Sequence, residues 1–231
     1  LDDSTTIIST TDKAGLITSV NSDFIRISGF SIDELVGAPH NTVRHPDMPP
    51  EAFADLWQTL KSGRPWMGIV KNRCKNGNYY WVDAYATPLY EKDEIVGYQS
   101  VRTRAAPEAI ARAEQLYTTL RNKKRLPHRL PLGMAARSGL GIALVLLPVV
   151  TAALAGGASP GALAVGVGVS LLLAAALAKV LARPLVRAAA HSRRVADNRV
   201  AQLVYTGRSD ETGQLELAVC MIEAHLRTVI G

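Results

Sequence analysis

Asn21-Ser22-Asp23-Phe24-Ile25-Arg26-Ile27-Ser28-Gly29-Phe30-Ser31-Ile32-Asp33-Glu34-Leu35-Val36-Gly37 decides the fold of the front of this 231-residue chain. Asn21 leads into a short helix that Gly29 ends, because glycine enters the left-handed region that closes a helix without strain. Ser31, with Glu34 three residues on, forms a capping box: hydroxyl and carboxylate each satisfy a backbone donor, and a second helical turn begins. Upstream, Thr6-Ile7-Ile8-Ser9-Thr10-Thr11 is rich in β-branched residues. Asp12-Lys13-Ala14-Gly15 breaks it before Leu16-Ile17-Thr18-Ser19-Val20 resumes, the pattern of two short strands around a turn.

Downstream, residues 51–62 predict a longer helix with Phe53, Leu56, Trp57 and Leu60 on one face. Three strands follow, near 66–74, 78–90 and 94–104. Lys75-Asn76-Gly77-Asn78 predicts the hairpin between the first two, since Asn-Gly suits a type I′ turn. Pro107 opens a helix over 107–122. Its stripe of Ile110, Ala113, Leu116, Tyr117 and Leu120 predicts that it packs on a partner surface.

Apolar residues make up 48% of the chain, but unevenly, and no charged residue occurs from Ser138 to Ala178. A bilayer core of about 30 Å takes about 20 apolar residues per helix. Gly156-Gly157-Ala158-Ser159-Pro160-Gly161 punctuates the run. Two spans are therefore expected, roughly 138–156 and 162–181, with Pro148 kinking the first. Ala162, Gly166, Ser170, Ala174 and Ala178 recur every four residues, a spacing that lets membrane helices approach closely. The net charge is +6, and its clusters flank the apolar run. Arg121, Lys123, Lys124, Arg125, Arg129 and Arg137 precede it; Lys179, Arg183, Arg187, Arg193 and Arg194 follow it. That placement predicts a membrane hairpin with both termini cytoplasmic rather than a nucleic-acid surface. Cys74 and Cys220 lie far apart and make neither a zinc pattern nor a disulfide framework.

Ala182-Arg183-Pro184-Leu185 is expected to begin a further helix. Beyond residue 208, Leu215, Val219, Ile222, Leu226 and Val229 step by four and three residues, a seam suited to parallel helices.

The front resembles a PAS domain, an α+β fold with a five-stranded antiparallel sheet and flanking helices. Asn21-Ser22-Asp23-Phe24, Gly29 to Gly37, Lys75-Asn76-Gly77 and Gly97-Tyr98 carry the resemblance. Pro39-His40-Asn41-Thr42-Val43-Arg44-His45-Pro46-Asp47-Met48-Pro49 and Gly63-Arg64-Pro65-Trp66-Met67-Gly68-Ile69-Val70-Lys71-Asn72-Arg73 narrow it to the bacterial aerotaxis receptors. Arg183-Pro184-Leu185 and Asp210-Glu211-Thr212-Gly213-Gln214-Leu215 resemble landmarks of a HAMP domain, an α-helical coiled-coil bundle. The organisation implied is a PAS sensor over 1–106, a connecting helix and basic linker over 107–137, a transmembrane hairpin over 138–181, and a HAMP domain with the start of a signalling helix over 182–231.

The resemblance implies a redox sensor that holds FAD without a covalent link and performs no catalysis. It ties Asn21, Arg44, His45, Asp47, Phe53, Trp57, Trp66 and Asn72 to FAD binding. The side-chain chemistry agrees with that role. Trp57 and Trp66 offer stacking walls, Asn21 and Asn72 amide pairs, and Arg44 a fork for phosphate oxygens. Asp47 also has a plainer reading, pairing with Arg44 or capping the helix near Pro49. The resemblance further implies a homodimer in the bacterial inner membrane, respiratory-chain electron donors, and a chemotaxis histidine kinase and coupling protein reached through a C-terminal signalling region. The same front end on a histidine kinase or cyclase is an alternative. A haem-based gas sensor with His40 or His45 as axial ligand is another. A flavoenzyme lacks support, since no Rossmann glycine pattern is present. The 39–49 loop has no cysteine for a light-driven flavin adduct.

Overall fold

The computed structural model of the chain describes residues 1–122, 159–193 and 196–230, with short runs and single positions between 136 and 157. These fall into two units: Leu1–His128 with Asn198–Gly207 and Cys220–Gly231, and Arg129–Asp197 with Arg208–Val219.

In the first unit the strands are β1 (Ile7–Asp12), β2 (Ile17–Val20), β3 (Trp66–Arg73), β4 (Tyr79–Glu91) and β5 (Glu94–Arg104). They form one sheet in the order β2-β1-β5-β4-β3, with every neighbouring pair antiparallel. Between β2 and β3 run α1 (Ser22–Ser28), α2 (Ile32–Leu35), a 3₁₀ turn (His40–Val43) and α3 (Pro50–Lys61). After β5 comes α4 (Pro107–Arg121).

The predicted caps at Gly29 and Ser31 are in place, and Asn21, expected only to lead into α1, caps it. Asn21 Oδ1 accepts from Phe24 N, and Gly29 adopts φ 73° and donates to the Ile25 carbonyl. Ser31 and Glu34 satisfy each other's backbone N–H groups. The Asn-Gly hairpin differs from expectation. Gly77 alone has positive φ there. The loop closes through Gly77 N to the Cys74 carbonyl, and the Asn76 side chain accepts from Asn78 N. The two-residue turn with positive φ at both positions is Lys92-Asp93, between β4 and β5. Two such residues match the right-handed twist of the flanking strands.

Strand β1 alternates buried and half-buried, with Ile7, Ser9 and Thr11 inward. Strand β3 does not alternate: Trp66 to Asn72 are all buried. It is covered on both faces, as a strand with no solvent side must be. On one side α4 lies over it, and the Tyr117 O–H donates to the Ile69 carbonyl at 2.7 Å. The same side receives α6 (Arg199–Thr206), a helix the sequence reading did not predict, capped by Asn198 and ended by Gly207 at φ 66°.

In the second unit α5 runs from Pro160 to Ser192. An 18-residue window within Ala164–Ser192 has mean hydropathy 2.2 and is mostly exposed, and the helix is long and apolar enough to cross a membrane. At 1.5 Å per residue Ala164–Ser192 exceeds a hydrocarbon core of about 30 Å. Of the predicted small residues, Ala174 and Ala178 are buried while Ser170 is half-buried and Gly166 exposed; Ala182, one step further, is buried as well. The helix expected to begin at Ala182 is instead the continuation of α5, which passes through Pro184. Proline removes one backbone donor, and one bond lost from a long ladder can bend a helix without ending it. The first predicted span, 138–156, is described only in short pieces, and most of the basic linker lies outside the described residues. The last helix, α7, covers Glu211–Ile230.

Candidate functional site

Helix α3 and the 3₁₀ turn stand off the sheet and leave a cavity of about 330 Å³ against β1, β3, β4 and β5. The sheet keeps room for it by using small residues: Ala84 and Ala86 on β4 line its floor. Aromatic rings wall part of the space. Trp57 on α3 meets Tyr98 edge to face, with centroids 5.5 Å apart. Its indole rests on Gly15, which has φ 84°; a side chain there would come within 2.9 Å of the ring. Trp66 lies over Gly68, where any side chain would overlap the ring. Trp66 Nε1 donates away from the cavity to Asp55 Oδ2 at 2.7 Å.

Polar groups share the lining with these rings, among them Ser9, Thr11, Asn41, Asn72 and Gln99. Asn72 is 3% exposed. Its backbone bridges to Arg44, which brings the 39–49 loop onto the edge strand. Thr11 Oγ1 is buried with no hydrogen-bond partner among the described residues. A buried hydroxyl of this kind calls for a ligand atom, because leaving it unmade costs free energy.

The charge is one-sided. Arg44 Nη2 donates to the Met48 carbonyl at 2.9 Å, and its guanidinium lies 4.2 Å from the Phe53 ring centre. Burial lowers the Arg44 pKa. Arg102, on β5, is 4% exposed. Its Nη1 donates to Ser9 Oγ at 3.1 Å and its Nη2 to His40 Nε2 at 2.6 Å. Burial pushes the Arg102 pKa down to about 10. His40 is pushed down to about 3, first by burial and then by Arg102. The imidazole is therefore neutral, accepting through Nε2 and carrying its proton on Nδ1. Among the described residues, no Asp or Glu lines the cavity. Two arginines without a carboxylate make it a place where negative charge is welcome.

The structure brings Arg44, Phe53, Trp57, Trp66 and Asn72 together around the cavity. Asn21, His45 and Asp47 do not line it. The Asn21 amide is used up bracing α1 to β1, accepting from Ile8 N and Phe24 N and donating to the Thr6 carbonyl. Asp47 is the hub of a cluster outside the cavity, with Lys71 Nζ at 2.6 Å, Arg121 at 3.0 Å and His45 Nδ1 at 3.5 Å. The Lys71 bond holds the Asp47 carboxyl below its usual range. Neither pairing with Arg44 nor a helix cap describes it: α3 has no side-chain cap. The cluster ties the loop to β3 and α4 and so acts on the cavity from behind. Arg102 was not among the predicted residues. Its signal is period two: Tyr98, Ser100 and Arg102 alternate along β5 and all line the cavity.

The residues present fit a flat conjugated ring system. Aromatic walls, one buried amide, an unpartnered hydroxyl and fixed positive charge are what such a ring with a polar, electron-accepting edge requires.

A family model of the PAS fold matches residues 17–102. The aerotaxis receptor of Escherichia coli (strain K12) is 40% identical over the whole of this chain, which covers 48% of that protein. A nitrogen fixation regulatory protein of Klebsiella pneumoniae is 34% identical over 36% of this chain and 17% of its own length. Among solved structures, the dark structure of the blue-light photoreceptor Aureochrome1 LOV aligns with a TM-score of 0.43 at 18% identity, over 51% of this chain and 85% of that one. The chain spans about half the length of the aerotaxis receptor it matches. Residues 17–102 are thus a PAS domain, and the chain is similar over its whole length to about half of the aerotaxis receptor.

Proposed function

We propose that the PAS domain binds FAD without a covalent link and reports its oxidation state, as a sensor rather than an enzyme. The observation that carries this is the cavity: aromatic walls, the buried Asn72 amide and two arginines with no acid among its lining residues. A flavin, when bound, supplies reversible electron uptake. The protein's part is to sandwich the ring between Trp57, Trp66 and Phe53, to offer Asn72 and Thr11 to its polar edge, and to hold Arg102 where added negative charge is stabilised. Arg44 and Asn41, in the same lining, offer donors for phosphate oxygens.

The haem alternative fits less well. His40 Nε2 is engaged by Arg102, and His45 does not line the cavity.

The output reading follows from the kinship with the aerotaxis receptor. The chain is anchored in the membrane by a hairpin with both ends cytoplasmic. It pairs with a second copy through 182–231 as a HAMP bundle and controls a chemotaxis histidine kinase and coupling protein. Val219, Ile222 and Leu226, members of the predicted seam, are about half exposed, as a dimer seam is in a single copy. The sensor's route to this region is α6, which packs on β3 and α4.

The decisive experiment is an absorption spectrum of the purified chain, followed by denaturation. A flavin spectrum and release of free FAD are expected. A Soret band without flavin would sink the reading.

A further inference from the structure

We propose that Asp55 is the positioning residue through which a change in the cavity wall reaches the start of α6; this rests on the reading of the cavity as a redox-cofactor site. A single oxygen serves two donors. Asp55 Oδ2 accepts from Trp66 Nε1 at 2.7 Å and from Asn198 Nδ2 at 2.5 Å. Trp66 is a cavity wall. Asn198 is the N-cap of α6, and its Oδ1 accepts from Ala201 N at 2.9 Å. The chain of contacts is therefore cavity, indole, carboxylate, cap amide and helix, with one bond at each step.

The geometry makes the junction sensitive. Two hydrogen bonds to one oxygen compete for its position, so a shift of the indole must move the carboxylate relative to Asn198 or lengthen one bond. Hydrogen bonds to a charged acceptor are the stronger kind, so the cap responds to their loss. There is room for the shift. A second void of about 60 Å³ lies beside Asp55, Trp66, Tyr117, Val200 and Val204, where interiors are normally close-packed. The other end of α6 is held differently. Arg112 donates to the Val204 and Tyr205 carbonyls at 2.6 and 2.8 Å, and the Tyr205 O–H donates to Asp83 at 2.5 Å. Those groups do not line the cavity. The C-terminal end of α6 is thus fixed to the sheet side, while its N-terminal end hangs on a bond that the cavity wall shares.

The test follows backbone hydrogen exchange across residues 199–206 in the full chain in lipid nanodiscs. Trp66→Phe keeps the ring and deletes the donor, Asn198→Ala deletes the cap amide, and Asp55→Asn keeps the shape and removes the charge. Each is expected to speed exchange in α6 by at least about tenfold. Trp66→Phe added to Asn198→Ala is expected to change nothing further, since both act through one oxygen. In the flavin-loaded protein, dithionite is expected to alter α6 exchange in wild type and to leave it unaltered in Asp55→Asn at equal flavin content. Additive effects of the Trp66 and Asn198 variants, or a redox response that survives Asp55→Asn, overturn the proposal. Should Asp55→Asn misfold, the other two variants decide. A wild-type chain that retains no flavin overturns the cofactor reading instead, and the cycle, which needs no flavin, still decides for or against Asp55.

Discussion

Acidification from about pH 7.5 to about pH 5 is expected to cost the PAS domain about 2 kcal/mol through His40 alone. The folded state holds this imidazole neutral with its pKa near 3, against 6.5 for the ordinary side chain, first because it is buried and then because Arg102 faces it. The unfolded chain takes up a proton as pH falls through 6.5, and the folded chain does so only near 3. Between those values the unfolded state binds more protons, so stability is complete above 6.5 and falls steadily below it. At about 1.4 kcal/mol per pH unit, one and a half units give about 2 kcal/mol. His40→Gln keeps an acceptor for Arg102 and removes the titration. The assay is denaturant unfolding followed by tryptophan emission, which reports on this domain because Trp57, Trp66 and Trp81 all lie in it. His45, lowered by burial and by Lys71, contributes with the same sign to both proteins and drops out of the comparison. Asp47, whose pKa is lowered, loses its contribution only below the ordinary carboxylate range, at the acid end. Parallel stability–pH curves for wild type and His40→Gln would refute the reasoning.

Arg102→Met is expected to lower the flavin midpoint potential by on the order of 100 mV; unit charges about 5 Å apart at an effective dielectric of about 20 interact by about 3 kcal/mol. Spectroelectrochemistry checks it, and an unchanged potential would show that the guanidinium does not face the ring. Trp66→Ala and Asn72→Ala are each expected to weaken FAD retention at least about tenfold, read by gel filtration of loaded protein. Normal retention in both would put the ring elsewhere. Reporter fusions near residues 130 and 200 are expected to give cytoplasmic signals, and a periplasmic signal at either would break the hairpin.

Local signals in the sequence carried most of the PAS architecture. The caps at Gly29 and Ser31, the apolar face of α3 and the bounds of the last three strands each depend on residues within a few positions of one another. The cavity walls were legible too, because Trp57, Trp66 and Phe53 are large and Asn72 sits on a strand with Trp66. What escaped was set by long-range contact. Arg102 meets Ser9 and His40 only when β5 pairs with β1 and the 3₁₀ turn folds over them. Asn21 has the right chemistry for a ligand amide, but three backbone groups of β1 and α1 claim it first. Asp47 finds Lys71 and Arg121 across the fold instead of the nearer Arg44. Helix α6 is short, and its identity rests on Asn198 and on Arg112, the latter far away in sequence. Pro184 reads as a break because proline usually is one, yet α5 carries it.

Strand β3 has no face turned to water. Its alternate residues answer to different masters: Trp66, Val70 and Asn72 to the cavity, Met67 and Ile69 to the helices behind. Surface strands let one side drift freely while the other is kept. This one cannot, so a lineage that retunes the cavity through β3 must also accept, or repair, whatever the backbone shift does to α4 and α6. Variation is therefore expected to be sparse along 66–72 and to come in compensated pairs, with partners drawn from α3 on one side and from 117–120 and 200–204 on the other. A deep mutational scan scored separately for cofactor retention and for signalling would expose that double constraint as positions intolerant in both screens.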